Sequence, residues 1–148
     1  MVYQIRAFIA AGGEPYHRWF GGGDLQNVKM LRAIVRVAEL TPEIFHWLPT
    51  RESAIVRQWL KEGGKRPSNL NIRISSTMVD DKPVASATRA DGINTSTVHT
   101  PGREYVGHEC PKYSEAHRAV YAKHRPNCAS CRMCWDSSVP NVSDAFHH

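Results

Sequence analysis

The stretch HRWFGGGDLQNVKMLRAIVRVAELTPEIFHWLPTRE, residues 17–52, decides the fold of this chain. It opens in a short aromatic segment, YHRWF (16–20), which Gly21-Gly22-Gly23 bring to a stop. Asp24 then reads as a helix cap, because its carboxylate can accept the backbone N–H groups of a following turn. From Leu25 to Leu40 the apolar residues Leu25, Val28, Leu31, Ile34, Val35 and Ala38 recur at steps of three and four, with Lys29, Arg32, Arg36 and Glu39 on the other side. That period belongs to an amphipathic helix. Pro42 restarts the chain, and IFHWLP (44–49), apolar and too short for a helix, reads as a buried strand with Thr50 as the next cap.

Downstream the alternation continues. A second helix is expected over 51–62, carrying Ile55, Val56, Trp59 and Leu60 and closing at Gly63-Gly64. LNIRISS (70–76) then alternates Leu70, Ile72 and Ile74 with Asn71, Arg73 and Ser75, the pattern of a strand with one apolar face. Strand, helix, strand, helix, strand is the order of a parallel sheet, so the expected class is α/β with a βαβαβ core over residues 16–76. At 148 residues the chain is expected to form a single domain over 1–148. Residues 77–136 are rich in Gly, Pro, Ser, Thr and Asp, and read as an irregular segment with one short strand, TSTVHT (95–100), and one short helix, 115–123. Residues 137–148 read as a loosely held polar tail.

Four cysteines fall in this core-poor half: Cys110 and the cluster CASCRMCW, with Cys128, Cys131 and Cys134. Two-residue gaps let successive thiolates converge on one centre, whereas three mutually close cysteines cannot all pair as disulfides. A metal held by all four is the expectation. The spacing Cys-x2-Cys-x2-Cys with a remote Cys110-Pro111 favours a [4Fe–4S] iron–sulfur cluster. Zinc, which more often takes two separated Cys-x2-Cys pairs, is the alternative, with His108, His117 and His124 as spare ligands.

In a parallel sheet, ligands bind beyond the carboxyl ends of the strands. Those ends gather Asp24, Thr50, Arg51, Glu52 and Ser75 into a rim suited to a small ligand or a partner, although each residue also has a plain use as a cap or a solvated group. His46, inside an apolar strand, reads as a core histidine. The glycine triplet lacks the Lys-Ser/Thr pair of a phosphate-binding P-loop.

Charge and hydropathy narrow the function classes. The net charge of +5 is diffuse, with basic residues such as Arg125 and Arg132 near the cysteines. The partner is unknown, and weak contact with nucleic acid is a possibility. No apolar run reaches the ~18 residues of a membrane span. No signal-peptide pattern stands at the start, so the expected compartment is the cytoplasm. Whether the chain is an enzyme is left open by these residues.

The stretch quoted above, followed by NLNIRISSTMVD, NTSTVHT and CASCRMCWD, resembles a family of phage and mobile-element proteins, the gene 88 products. The matching features are the Arg-Trp strand, the Gly-Asp-Leu turn, the Trp-Leu-Pro-Thr-Arg-Glu strand end and the cysteine trio before tryptophan. The chain departs from the pattern at Gly22, where the family tends to have serine. The resemblance implies a phage origin, with an unknown host or phage protein as the partner, and assigns no activity. A weaker likeness joins GGGD (21–24) to the strand-end turn of radical S-adenosylmethionine enzymes, whose Cys-x3-Cys-x2-Cys motif is missing here. Together these readings give a small metal-binding accessory or binding protein, or alternatively a redox enzyme or enzyme fragment using a cluster at the rim, or a metal-stabilised nucleic-acid binder.

Overall fold

The computed structural model describes residues 1–84, 91–114 and 127–146. Six strands form one sheet: β1 (Tyr16–Arg18), β2 (Phe45–Thr50), β3 (Leu70–Val79), β4 (Asn94–His99), β5 (His108–Glu109) and β6 (Asn141–Ala145), in spatial order β1-β2-β3-β4-β6-β5. Every neighbouring pair runs parallel. The expected α/β class and the βαβαβ core are therefore observed. Among the described residues, three α-helices accompany the sheet: α1 (Val2–Ala10), α2 (Val28–Leu40) and α3 (Ser53–Lys61). None is long and apolar enough to cross a membrane.

The apolar stripe of α2 does what its period requires. Leu31, Ile34, Val35 and Ala38 are buried against Leu48 of β2 and Leu70, Ile72 and Ile74 of β3, with Val56 and Trp59 of α3 completing the cluster. Leu31, Leu48, Val56, Leu70 and Ile72 have no exposed surface, and each such side chain contributes roughly 1.5–3 kcal/mol. α2 begins three residues later than expected. Its cap is Asn27, whose side-chain oxygen accepts the N–H of Met30 at 2.8 Å, because the carboxylate of Asp24 is engaged elsewhere. α3 ends before Gly63, which takes the left-handed φ of +86° that glycine adopts without strain. α1 has no counterpart in the sequence reading. It buries Ile5, and Arg6 ties it to the end of α2 through the carbonyl of Leu40 (2.7 Å) and the carboxylate of Glu43 (2.9 Å).

Two expectations are corrected. The polar alternates of β3 do not face water: Asn71 is 1% and Arg73 0% exposed. A strand in the middle of a parallel sheet is covered on both faces, and here residues 133–139 cover the second one. Nor are residues 137–146, the described part of that segment, a loose tail. Residues 141–145 form β6, an interior strand between β4 and β5. Its polar residues find partners inside the sheet, apart from the buried Oδ1 of Asn141. Asn141 Nδ2 donates to Thr97 Oγ1 (2.9 Å) and to the carbonyl of Val106 (2.7 Å), and Ser143 Oγ bonds His99 Nδ1 at 2.7 Å. The short strand expected at 95–100 is β4. The helix expected at 115–123, with His117 and Arg118, lies outside the described residues, as do His124 and Arg125.

Candidate metal centre and strand-end cleft

The cysteine segment sits on the face of the sheet opposite α2 and α3, where β3 turns its polar residues. Arg73 reaches out of the centre of the sheet and grips it. Nε donates to the carbonyl of Cys134 (3.0 Å), Nη2 to those of Met133 (2.8 Å), Asp136 (3.0 Å) and Val139 (2.9 Å), and Nη1 to that of Thr95 on β4 (3.1 Å). Asn71 Nδ2 adds a second donor to Cys134 O at 2.8 Å, and Asn94 Nδ2 bridges Asn71 Oδ1 (2.8 Å) and the carbonyl of Ser137 (3.1 Å). Burial pulls the guanidinium pKa of Arg73 down, while the neighbouring Cys134 and Asp136 oppose this. The contacts that attach this segment to the sheet are thus protein contacts.

A second set of contacts fixes the other end of the segment to β1. Trp135 Nε1 donates to the carbonyl of His17 (3.1 Å), and its ring packs edge-on against Trp47 (5.1 Å) and Tyr16 (5.7 Å). The guanidinium of Arg132 lies 4.0 Å over the Tyr16 ring and pairs with Glu14. Arg132 is therefore occupied by an aromatic face and a carboxylate.

Between these attachments the four cysteines line one small cavity of about 20 Å³, shared with Pro111, Lys112, Asn127, Met133, Trp135 and Val142. Cys110 enters it because its N–H bonds the carbonyl of Ser143 (2.8 Å), which extends the β5–β6 pairing by one residue. All four thiols are free. Cys128 is exposed and the other three are half-buried. Burial, followed by the carboxylate of Asp144, pushes the Cys110 thiol up. Burial also pushes Cys134 up to about 12, with Arg73 pulling the other way and Asp144, Cys128 and Cys131 adding to the rise. The thiols are close enough to feel one another's charge. Four sulfur donors suit a soft or borderline metal, so the donor chemistry fits both iron–sulfur and zinc. Among the described residues, however, no group of three or more His, Cys, Asp or Glu is already arranged to hold an ion. His108 is exposed on β5 and does not line the cavity.

The rim expected at the strand ends is present as an open cleft of about 390 Å³, lined by Arg18, Phe20, Gly21, Gly22, Gly23, Asp24, Pro49, Thr50, Arg51 and Ser75. Four of the five expected rim residues line it. Glu52 does not: it stands at the start of α3, and its N–H donates to Thr50 Oγ1 at 3.0 Å. Asp24 serves as a bridge. Its Oδ1 accepts from Thr50 Oγ1 (2.5 Å) and Leu25 N (2.7 Å), and its Oδ2 from Arg51 N (2.7 Å), joining the glycine turn to the end of β2. Ser75 Oγ bonds Ser96 Oγ at 2.8 Å. No residue lines both the cleft and the cysteine cavity.

Asn71, Arg73 and Asn94 were not singled out in the sequence. The signal was available: charged and amide residues at alternate positions of a strand that must be central need partners of their own.

Comparison with known proteins gives one finding. A family model described as Gene product 88 matches residues 1–137. No curated protein and no solved structure matches the chain. The likeness to radical S-adenosylmethionine enzymes is without support.

Proposed function

The chain belongs to the Gene product 88 family, and from that premise we propose that it is a small phage metal-binding protein in which Cys110, Cys128, Cys131 and Cys134 hold one centre, acting as an accessory or binding protein. The observation that carries this is the convergence of all four cysteines, one of them remote in sequence, on a single cavity. Like-charged thiolates brought together repel, and a bound cation turns that repulsion into attraction. Because the donors are near one another yet not arranged for an ion, binding would draw them together, as metal sites that couple to folding do. Arg73 and Trp135 hold the segment in place for this without themselves being ligands.

The spacing of the trio and the Cys110-Pro111 pair favour an iron–sulfur cluster. A single zinc ion is the smaller guest for so small a cavity, and it would make the centre a structural staple. Purification without oxygen, followed by visible absorption and measurement of iron, sulfide and zinc, separates them. Iron with matching sulfide and a broad visible band identifies a cluster; one zinc per chain in a colourless protein identifies the staple. Either metal should be lost in a Cys131→Ser, Cys134→Ser variant. A chain that retains neither metal, even after reconstitution under reducing conditions, would overturn the proposal.

A further inference from the structure

We propose that the cleft at the ends of β1 and β2 binds the phosphate group of a small phosphorylated molecule. This deepens the reading of the chain as a binding protein, but the cleft shares no lining residue with the cysteine cavity, so either site can fail without the other. Its volume, about 390 Å³, lies in the range of small-molecule sites, and its place is where parallel sheets bind ligands.

The charges around it point to a dianion. Arg18 and Arg51 both line the cleft, and neither is in an ion pair among the described residues. The Arg18 guanidinium is held 4.7 Å from the centre of the Trp47 ring, which restricts where it can point. Among the described residues Asp24 is the one acidic residue in the lining, and its two oxygens already accept three hydrogen bonds from Thr50, Leu25 and Arg51. Two cations without carboxylate partners match the charge of about −1.5 to −2 on a phosphate monoester better than that of a lone carboxylate, and guanidinium forks suit phosphate oxygens.

The glycine triplet points the same way. Gly23 has φ +83° and needs to be glycine. Gly21 and Gly22 do not have positive φ, and a Cβ at either would meet nothing within 4 Å. Neither backbone conformation nor packing calls for glycine at these two positions. What an absent side chain does leave is room for a ligand to approach the main chain closely.

Calorimetric titration with inorganic pyrophosphate, and separately with ADP, tests this on the full chain at low salt. Binding should weaken about tenfold or more in Arg18→Ala, Arg51→Ala, the loss expected when charged partners are removed. It should be unchanged in Lys29→Ala, Lys61→Ala, which removes the same charge from exposed positions on α2 and α3. Gly21→Val should weaken binding while leaving the melting temperature unchanged, since its Cβ has open space. Equal affinity for both probes would mean that the phosphates alone are read; tighter ADP binding would mean that the cleft also holds the rest of the nucleotide. Absence of binding, equal loss in the lysine variant, or indifference to Gly21→Val at an unchanged melting temperature would each overturn the proposal.

Discussion

Arg73 Nε donates to the carbonyl oxygen of Cys134 at 3.0 Å, so a fully buried cation in the middle of the sheet holds the backbone of a cysteine in the candidate metal centre. The link explains how a polar, core-poor segment comes to lie against a parallel sheet. Burying a guanidinium costs free energy unless its donors are used, and here five hydrogen bonds to carbonyls of Thr95, Met133, Cys134, Asp136 and Val139 use them. Three of those carbonyls also have a second donor, Cys134 and Asp136 from Asn71 Nδ2 and Met133 from the N–H of Asp136.

Arg73→Met therefore removes the donors while keeping most of the volume. The expected cost is about 1–3 kcal/mol for each buried carbonyl left without a donor, read as a fall in the midpoint of chemical unfolding. Arg73→Lys should recover little, because an ammonium on a flexible stem cannot present the planar fork. A variant as stable as the parent would mean that these contacts do not hold the segment.

The helical half of the fold was legible because its signals are local. The three- and four-step apolar period of α2, the stop at Gly63 and the alternation of β3 each speak within a dozen residues. What failed depended on distant partners. Asp24 looked like a helix cap, yet its carboxylate reaches across to Thr50 and Arg51, leaving the cap to Asn27. Asn141 and Ser143 made residues 141–145 look like surface, because their partners Thr97 and His99 are supplied by another strand. The cysteine site was read from spacing alone, and the strand-end cleft from the rule for parallel sheets. Nothing local revealed Arg73 as the residue that positions the cysteine segment.

The interior position of β6 makes the end of the chain structurally essential. It pairs with β4 through five residues, from Thr95 with Asn141 to His99 with Ala145, and among the described residues it is the sole strand β5 pairs with. Stopping the chain after Val139 should leave Thr97, His99 and the edge of β4 without partners and detach β5 together with Cys110. The expected product has no cooperative thermal transition and is cut rapidly by protease. A truncated chain that still melts cooperatively at the parent temperature would show that β6 is dispensable.

His46 sets an acid limit on stability. It has no exposed surface, and Thr41 Oγ1 donates to the carbonyl of Val37 (2.7 Å) and so accepts from His46 Nε2 (2.8 Å), which places the ring proton on Nε2. The other nitrogen, Nδ1, is buried without a partner. Burial, reinforced by nearby His17 and opposed by Glu43, lowers its pKa from 6.5 to about 4. Between those values the unfolded chain binds the extra proton and the folded chain does not, so acid favours unfolding. The contribution is present in full above about pH 6.5 and lost as the pH falls toward 4, up to about 3 kcal/mol at about 1.4 kcal/mol per unit. His46→Gln keeps an N–H for Thr41 and cannot titrate. Its unfolding free energy should vary less between pH 6.5 and 4 than that of the parent, with the remaining slope owed partly to His17, whose pKa burial also lowers. Parallel curves for the two proteins across that window would show that His46 does not control acid stability.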